Sequence, residues 1–345
     1  MVVERDMTSV MVAGIGGASL GTELLKTLRL AGRYRIYGCD ISPTAFGLYD
    51  PGFEKSYLVD RDDYVRSVIS VCRDAGAAFV LPGGEQPMAL LGAAVEELRS
   101  AGITLVGNSA RVIRLCSDKA ATFEELDRIG VLTPVTIPFD SPDVIERVGL
   151  PCIVKPATGS GGSAAVFFAT SADEASMYAA FMRNSGLQPL AQEYVDPEAG
   201  EFTIGVLSLP DGRVVSSIAL RRSLDAKLSV AYRGRGGLVS SGYSQGYIDE
   251  FPDLCRQAER IAVAIGSTGP INVQCRVREG RLLPFEINPR FSASTYLRAL
   301  AGVNEPDILL QYLAAGEMPR RPAIRPGWYL RSLSERYVSD DEVKT

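Results

Sequence analysis

No histidine occurs among the 345 residues, and that absence removes more chemistry than any other feature of the chain. Ser-His-Asp and Cys-His nucleophile systems, His-ligated zinc and imidazole acid-base catalysis are excluded together. Catalysis has to rest on carboxylates, Lys, Arg, backbone dipoles and hard metal ions. The six cysteines, Cys39, Cys72, Cys116, Cys152, Cys255 and Cys275, form no C-x-x-C pair and sit mostly in apolar contexts, which reads as reduced, buried thiols. No run approaches the roughly 20 apolar residues of a membrane span, and Met1 to Asp6 lack the basic start and apolar core of a signal peptide. A cytoplasmic protein with no membrane partner is expected. Positive charge is in deficit, with 36 Lys and Arg against 41 Asp and Glu. Apart from the Arg-rich tail Arg320 to Arg331, no basic stripe offers phosphate neutralisation, so nucleic acid is not an expected partner.

What is present is ordinary globular material, 46% apolar and 22% charged, and 345 residues exceed what one hydrophobic core usually organises. Ser9 to Gly14 reads as a buried strand, and the turn Gly14-Ile15-Gly16-Gly17 leads into a helical pattern from Ser19 to Ala31. Strand Arg35 to Cys39, helix Tyr64 to Ala75, strand Phe79 to Leu81, helix Met88 to Ala101 and strand Thr104 to Val106 then alternate as βαβ units do. The first ~110 residues therefore predict an open parallel sheet. Beyond Ser117 the pattern changes to a helix from Lys119 to Ile129, Pro-marked turns and the strand Cys152 to Lys155. A glycine-rich loop, Thr158-Gly159-Ser160-Gly161-Gly162-Ser163, returns into the apolar run Ala165 to Phe168. Strand, loop, strand is not the arrangement of a P-loop, and no G-x-x-x-x-G-K-[ST] occurs. Strands at Leu190 to Tyr194, Phe202 to Leu207 and Val214 to Leu220 follow, then a Gly/Arg/Ser-rich stretch from Tyr232 to Gly246 and a helix from Leu254 to Ile265.

Ile271 to Asn288 carries the sharpest local signal. Val273, Cys275, Val277, Leu283, Phe285 and Ile287 are apolar and odd-numbered, while Asn272, Gln274, Glu286 and Asn288 occupy even positions. Period 2 predicts a hairpin with one apolar and one polar face. A three-residue loop with Gly280 left-handed is expected, pairing Val277 with Arg281 and Gln274 with Pro284. Gln274, Glu286 and Asn288 then converge as oxygen donors of the kind Mg²⁺ prefers, with Phe285 turned to the core.

With Glu286-Ile287-Asn288-Pro289-Arg290 in view, the chain resembles the ATP-grasp superfamily, in the branch that includes carbamoyl-phosphate synthetase large subunits, biotin carboxylase and carboxylate-amine ligases. The resemblance runs from the Gly14 turn to about Gly316 and rests on the order of the motifs. It implies an α/β protein, α+β in its C-terminal part: a Rossmann-like unit over 1–112, a small lobe over 113–190 and a larger lobe over 191–345. It implies that Lys119 and Lys155 contact ATP phosphates, and that Gly159, Ser160, Gly161, Gly162 and Ser163 close over the nucleotide. Glu193, Tyr194 and Val195 would form the adenine hinge and Glu201 would meet the ribose hydroxyls. Gln274, Glu286 and Asn288 would hold Mg²⁺, which Mn²⁺ could replace, and Arg290 would stabilise the transferred phosphoryl group. One basic residue of a mobile loop belongs near the γ-phosphate; Arg235 is carried forward, with Arg221, Arg222, Lys227 and Arg233 left open.

The activity implied is activation of a small-molecule carboxylate as an acyl phosphate for attack by an amine, releasing ADP, with a homodimer admitted. The turn at Gly14 and Gly83-Gly84-Glu85 would line the pocket for the non-nucleotide substrate. Formation of carbamoyl phosphate, or carboxylation of an acceptor, is the alternative within the family. A nicotinamide-dependent oxidoreductase is the rival outside it, resting on Gly14-x-Gly16 and Asp40. Ser19 stands at the third glycine position, however, and that rival leaves the Lys155 loop and the Glu286 hairpin unused.

Overall fold

The computed structural model describes residues 7–17, 20–141, 143–158, 165–234 and 236–344. The expected parallel sheet is there, in the order β3-β2-β1-β4-β5: β1 (Thr8–Ala13), β2 (Tyr34–Asp40), β3 (Lys55–Leu58), β4 (Phe79–Pro82) and β5 (Thr104–Leu105). Helices α1 (Leu20–Ala31) and α2 (Tyr64–Asp74) connect its strands. The single helix expected over 88–101 is two, α3 (Glu85–Ala93) and α4 (Val95–Ser100), because Ala94 leaves helical geometry between them. Strand order reverses beside β1, so the Gly14 and Gly83 turns both lie at carboxyl ends of neighbouring strands, where open α/β sheets bind ligands.

The glycines of this region are there for close approach. Gly14 has φ +94°, and a Cβ on Gly21 or Gly83 would lie 2.0 or 1.9 Å from the Gly14 carbonyl oxygen. Asp40 ties the same turn: its Oδ2 accepts from Ile15 N at 2.7 Å and its Oδ1 from Ser42 N at 3.0 Å. The carboxylate that a nicotinamide enzyme would present to a ribose is here spent on the chain's own backbone.

Helices α5 (Ala110–Ser117) and α6 (Lys119–Arg128) cross to a four-stranded sheet of order β6-β9-β7-β8, made of β6 (Thr136–Pro138), β7 (Cys152–Pro156), β8 (Phe167–Ala169) and β9 (Pro189–Glu193). Its pairings are antiparallel, and α7 (Val144–Val148) and α8 (Ala172–Asn184) cover it. A six-stranded sheet follows, ordered β16-β15-β10-β11-β14-β17, from β10 (Glu201–Ser208), β11 (Val214–Arg222), β14 (Gly246–Asp249), β15 (Pro270–Arg278), β16 (Arg281–Asn288) and β17 (Gly327–Tyr329). The Gly/Arg/Ser-rich stretch forms its own antiparallel pair, β12 (Val230–Gly234) and β13 (Gly237–Ser240). Helix α9 (Pro252–Ala264) packs Cys255, Ala258, Ile261 and Ala262 against Ile204, Val273 and Cys275 of this sheet.

One apolar cluster joins the parallel sheet to the C-terminal part: Val10, Leu24 and Leu28 pack with Leu207, Leu209, Phe291, Leu309 and Leu310. Tyr34 Oη donates to Asp307 Oδ1 at 2.7 Å and Arg331 pairs with Glu23 at 3.0 Å across the same junction. These contacts hold the Gly83 turn over the open face of the six-stranded sheet.

Candidate active site

The hairpin departs from its expected register. Arg278 pairs with Arg281, so the turn is the two residues Glu279-Gly280, both left-handed with φ of 51° and 72°. Gln274 pairs with Glu286 but Cys275 with Pro284, which leaves Phe285 as the extra residue of a bulge. Proline has no N–H to give the ladder, and the ladder breaks beside it. The bulge shifts facing: Leu282 and Ile287 both join Val273 and Cys275 in the core, while Phe285 turns out beside Glu286 into a cleft. The expected core position of Phe285 is therefore corrected, and so are the Val277–Arg281 and Gln274–Pro284 pairs.

The cleft lies between the four- and six-stranded sheets. Lys155 stands in its wall, 4% exposed, donating to Gln192 Oε1 at 2.9 Å and to the Phe285 carbonyl freed by the bulge at 2.8 Å. Burial, seconded by the charge of Lys119 and opposed by Glu286, pulls the Lys155 ammonium down to about 7. Lys119 opens α6, whose N-cap Asp118 accepts from Ala120 N and Ala121 N, and its own N–H donates to Ala157 O just past β7. Both lysines thus face one space, as expected for an anionic ligand. Gly159, Ser160, Gly161, Gly162, Ser163 and Arg235 lie outside the described residues. Of the other basic candidates, Arg222 lies buried in the protein, Arg233 donates to Leu224 O at 2.6 Å, and neither Arg233 nor Lys227 lines the cleft.

Glu193, Tyr194 and Val195 line the cleft's inner end. The Glu193 carboxylate accepts from Val135 N at 3.2 Å and pairs with Arg278, Tyr194 Oη accepts from Leu238 N at 2.9 Å, and the Val195 carbonyl accepts from Arg276 Nη1 at 2.5 Å. An acceptor on Val195 is accordingly already in use. Glu201 requires a larger correction. Its carboxylate is 0% exposed, 2.9 Å from Arg276 Nε and 3.1 Å from Arg222 Nη1, and it does not line the cleft. Two buried guanidiniums claim the charge that ribose hydroxyls were expected to meet.

Gln274 and Glu286 stand opposite each other where the cleft opens into a second cavity of about 500 Å³. That chamber is walled by Gly83, Gly84 and Glu85 from the parallel sheet and by Arg222, Tyr243 and Arg290 from the other side. Gly14, Gly16 and Asp40 line a neighbouring cavity that shares Gly83 and Gly84 with the chamber. Arg290 donates to Glu85 Oε1 at 2.9 Å and to Phe291 O at 3.0 Å, and reaches Asn288 Oδ1 at 3.5 Å. Asn288 is buried with Nδ2 lacking a partner. Asn288 lines neither the cleft nor the chamber but a third cavity shared with Glu286 and Lys119. The Glu286 carboxylate and the side-chain oxygens of Gln274 and Asn288 are hard donors of the kind Mg²⁺ takes alongside phosphate and water, whereas the unpartnered Nδ2 is a donor and suits a phosphate oxygen, not the cation. Among the described residues no group of three or more His, Cys, Asp or Glu could hold a metal, and Glu286 is the one carboxylate of the expected Gln274, Glu286 and Asn288 set. The sequence reading missed Arg276, and it had Arg222 only as one of several basic candidates for the γ-phosphate, not as a partner of Glu201. Arg276 continues the even-numbered polar face past Gln274 in an otherwise buried strand, and that pattern could have drawn attention to it.

The family model for "ATP-grasp in the biosynthetic pathway with Ter operon" matches residues 190–335. The carbamoyl phosphate synthase large chain of Thermus thermophilus is 27% identical over 323 residues, covering 86% of this chain. This chain spans only 30% of that relative's length. Among solved structures, biotin carboxylase from Campylobacter jejuni, crystallised as a beta-gamma-ATP complex, superposes with a TM-score of 0.70 at 16% identity, covering 92% of this chain and 74% of that one. An L-amino acid ligase from Bacillus licheniformis superposes with a TM-score of 0.62 at 17% identity, covering 88% and 73%. At these identities the likeness is one of fold. Among the described residues no helix is long and apolar enough to cross a membrane.

Proposed function

From the premise that this chain belongs to the ATP-grasp superfamily, we propose that it is an ATP-dependent ligase that activates a carboxylate as an acyl phosphate for attack by an amine. The observation that carries this reading is the placement of Glu286, opposite Gln274, in the wall common to the cleft and the chamber. ATP bound in the cleft directs its phosphates toward Lys119 and Lys155, and the chamber holds the carboxylate. Units 1–112, 113–190 and 191–345 then contribute the chamber's outer wall, the nucleotide cover and the metal hairpin.

Gln274, Glu286 and Asn288 would hold Mg²⁺, which when bound offsets charge on the ATP phosphates. Lys155, protonated in contact with phosphate, counters the γ-phosphoryl charge, and the Glu85–Arg290 contact aims the Arg290 guanidinium into the chamber. A carboxylate oxygen of the substrate attacks the γ-phosphorus and ADP leaves. The amine then attacks the acyl carbon, inorganic phosphate departs, and the amine's proton passes to solvent as the amide forms. The cleft's apolar walls, Ile153, Leu238 and Phe285, would receive the adenine base.

Incubation with MgATP and panels of carboxylates and amines tests the proposal, with ADP and phosphate as the expected products; AMP and pyrophosphate would contradict it. The likeness to carbamoyl phosphate synthase large chains supports a second reading, activation of bicarbonate. ADP release that depends on bicarbonate and on no other carboxylate would favour that reading over the first.

A further inference from the structure

We infer that Glu201 is a positioning residue, the hub of a buried Arg276–Glu201–Arg222 relay that couples the nucleotide cleft to the acceptor chamber. The inference rests on the nucleotide reading of the cleft. Arg276 is nearly wholly buried and spends each nitrogen of its fork on a different part of the site. Its Nε meets Glu201 Oε2 at 2.9 Å, its Nη1 meets the Val195 carbonyl at 2.5 Å, and its Nη2 meets the Leu238 carbonyl on β13 at 2.9 Å. The guanidinium also lies 4.9 Å from the Tyr194 ring centroid. One side chain therefore fixes the inner end of the cleft and the strand that roofs it.

Across Glu201, Arg222 does the same for the chamber. Its Nη1 is 3.1 Å from Glu201 Oε1, and its Nη2 reaches the carbonyls of Ser241 and Tyr243, both at 2.8 Å, and of Ser229 at 3.3 Å. Ser241 and Tyr243 line the chamber, and Leu238 lines the cleft. Residues 236–244 are thus strapped over both compartments by two guanidiniums that share one carboxylate. Two buried cations at this spacing repel, and the Glu201 charge lets both stand. A nucleotide that moves the backbone at Val195 pulls on Arg276, and Glu201 passes that displacement to Arg222 and the chamber roof.

Hydrogen exchange of the full chain with and without MgADP tests the relay. In the unaltered protein MgADP is expected to slow exchange over 190–196, which lines the cleft, and also over 241–244, which lines the chamber alone, each by about 5–10-fold, the low end of ordinary coupling between sites. In Glu201→Gln, slowing over 190–196 should persist while that over 241–244 disappears. Arg222→Lys keeps a charge beside Glu201 but cannot meet Glu201 and the Ser241 and Tyr243 carbonyls together, as Nη1 and Nη2 of the arginine do, and it should show the same selective loss. Retained slowing over 241–244 in either folded variant would overturn the relay alone. No slowing over 190–196 in the unaltered chain would overturn the nucleotide reading and the coupling together. Failure of both variants to fold would also overturn the inference, because a positioning role requires a fold that survives its loss.

Discussion

Replacing Phe285 and Leu282 separately by Ala separates the observed register of the hairpin from the one expected by alternation. Leu282 is 3% exposed and packs with Val273, Cys275 and Ile287, so Leu282→Ala leaves a cavity in the core beneath the sheet and should cost roughly 2–5 kcal/mol. Phe285 is only half-buried and lines the cleft, and its loss opens space to solvent rather than within the core. Removing ~50 Å² of apolar contact with a bound base at ~25 cal/mol per Å² amounts to ~1.3 kcal/mol, or ~10-fold in Kd. Phe285→Ala is therefore expected to weaken ATP binding by about tenfold while lowering Tm far less than Leu282→Ala does. Titration calorimetry and thermal melting read the two effects. If Phe285→Ala destabilises the chain as much as Leu282→Ala and leaves ATP affinity unchanged, the bulge at Phe285 is wrong and so is the cleft wall built on it.

Lys155 gives a pH dependence. Its folded value of about 7 lies below the usual 10.5 of lysine, so between them the unfolded chain binds more protons and this group's contribution to stability rises with pH. Phosphate arriving among Lys119, Glu286 and Gln192 raises that value again, so ATP binding at pH 8 should take up about one proton, measured by calorimetry in buffers of different ionisation enthalpy. Zero uptake at pH 8 would place the phosphates elsewhere. Arg290→Lys keeps the charge but cannot fork to Glu85 and Phe291; kcat should fall roughly 10²-fold with little change in KM for ATP. An equal rise in that KM would move Arg290 from the phosphoryl group to nucleotide binding.

Much of the scaffold was legible because its signals are local. Strands β1 and β4 carry continuous apolar runs, Val10 to Ala13 and Phe79 to Leu81, ended by glycine turns, and a buried parallel strand has few other ways to read. Gln274, Glu286 and Lys155 were placed together because alternation and motif order survive translation into space. What escaped was set by contacts between distant segments. Phe285 alternates as a core residue, and only Pro284 beside it hinted that the ladder would break. Glu201 looked available because nothing near it in sequence announces Arg222 or Arg276, which arrive from β11 and β15. The glycines around Gly14 line cavities, as a ligand turn would, but nothing in the sequence showed that Gly21 and Gly83 also let one backbone approach another at the Gly14 carbonyl.

In the proposed mechanism the Glu286 carboxylate holds the divalent cation that accompanies ATP, and ATP affinity measured against Mg²⁺ concentration tests this without knowledge of the other substrates. The unaltered chain should bind ATP more tightly as Mg²⁺ is raised. Glu286→Gln keeps the shape and hydrogen-bonding capacity of a side chain outside the core, so it should melt close to the parent while losing most of that dependence. A Glu286→Gln protein whose ATP affinity rises with Mg²⁺ just as the parent's does would contradict the metal site and the function built upon it.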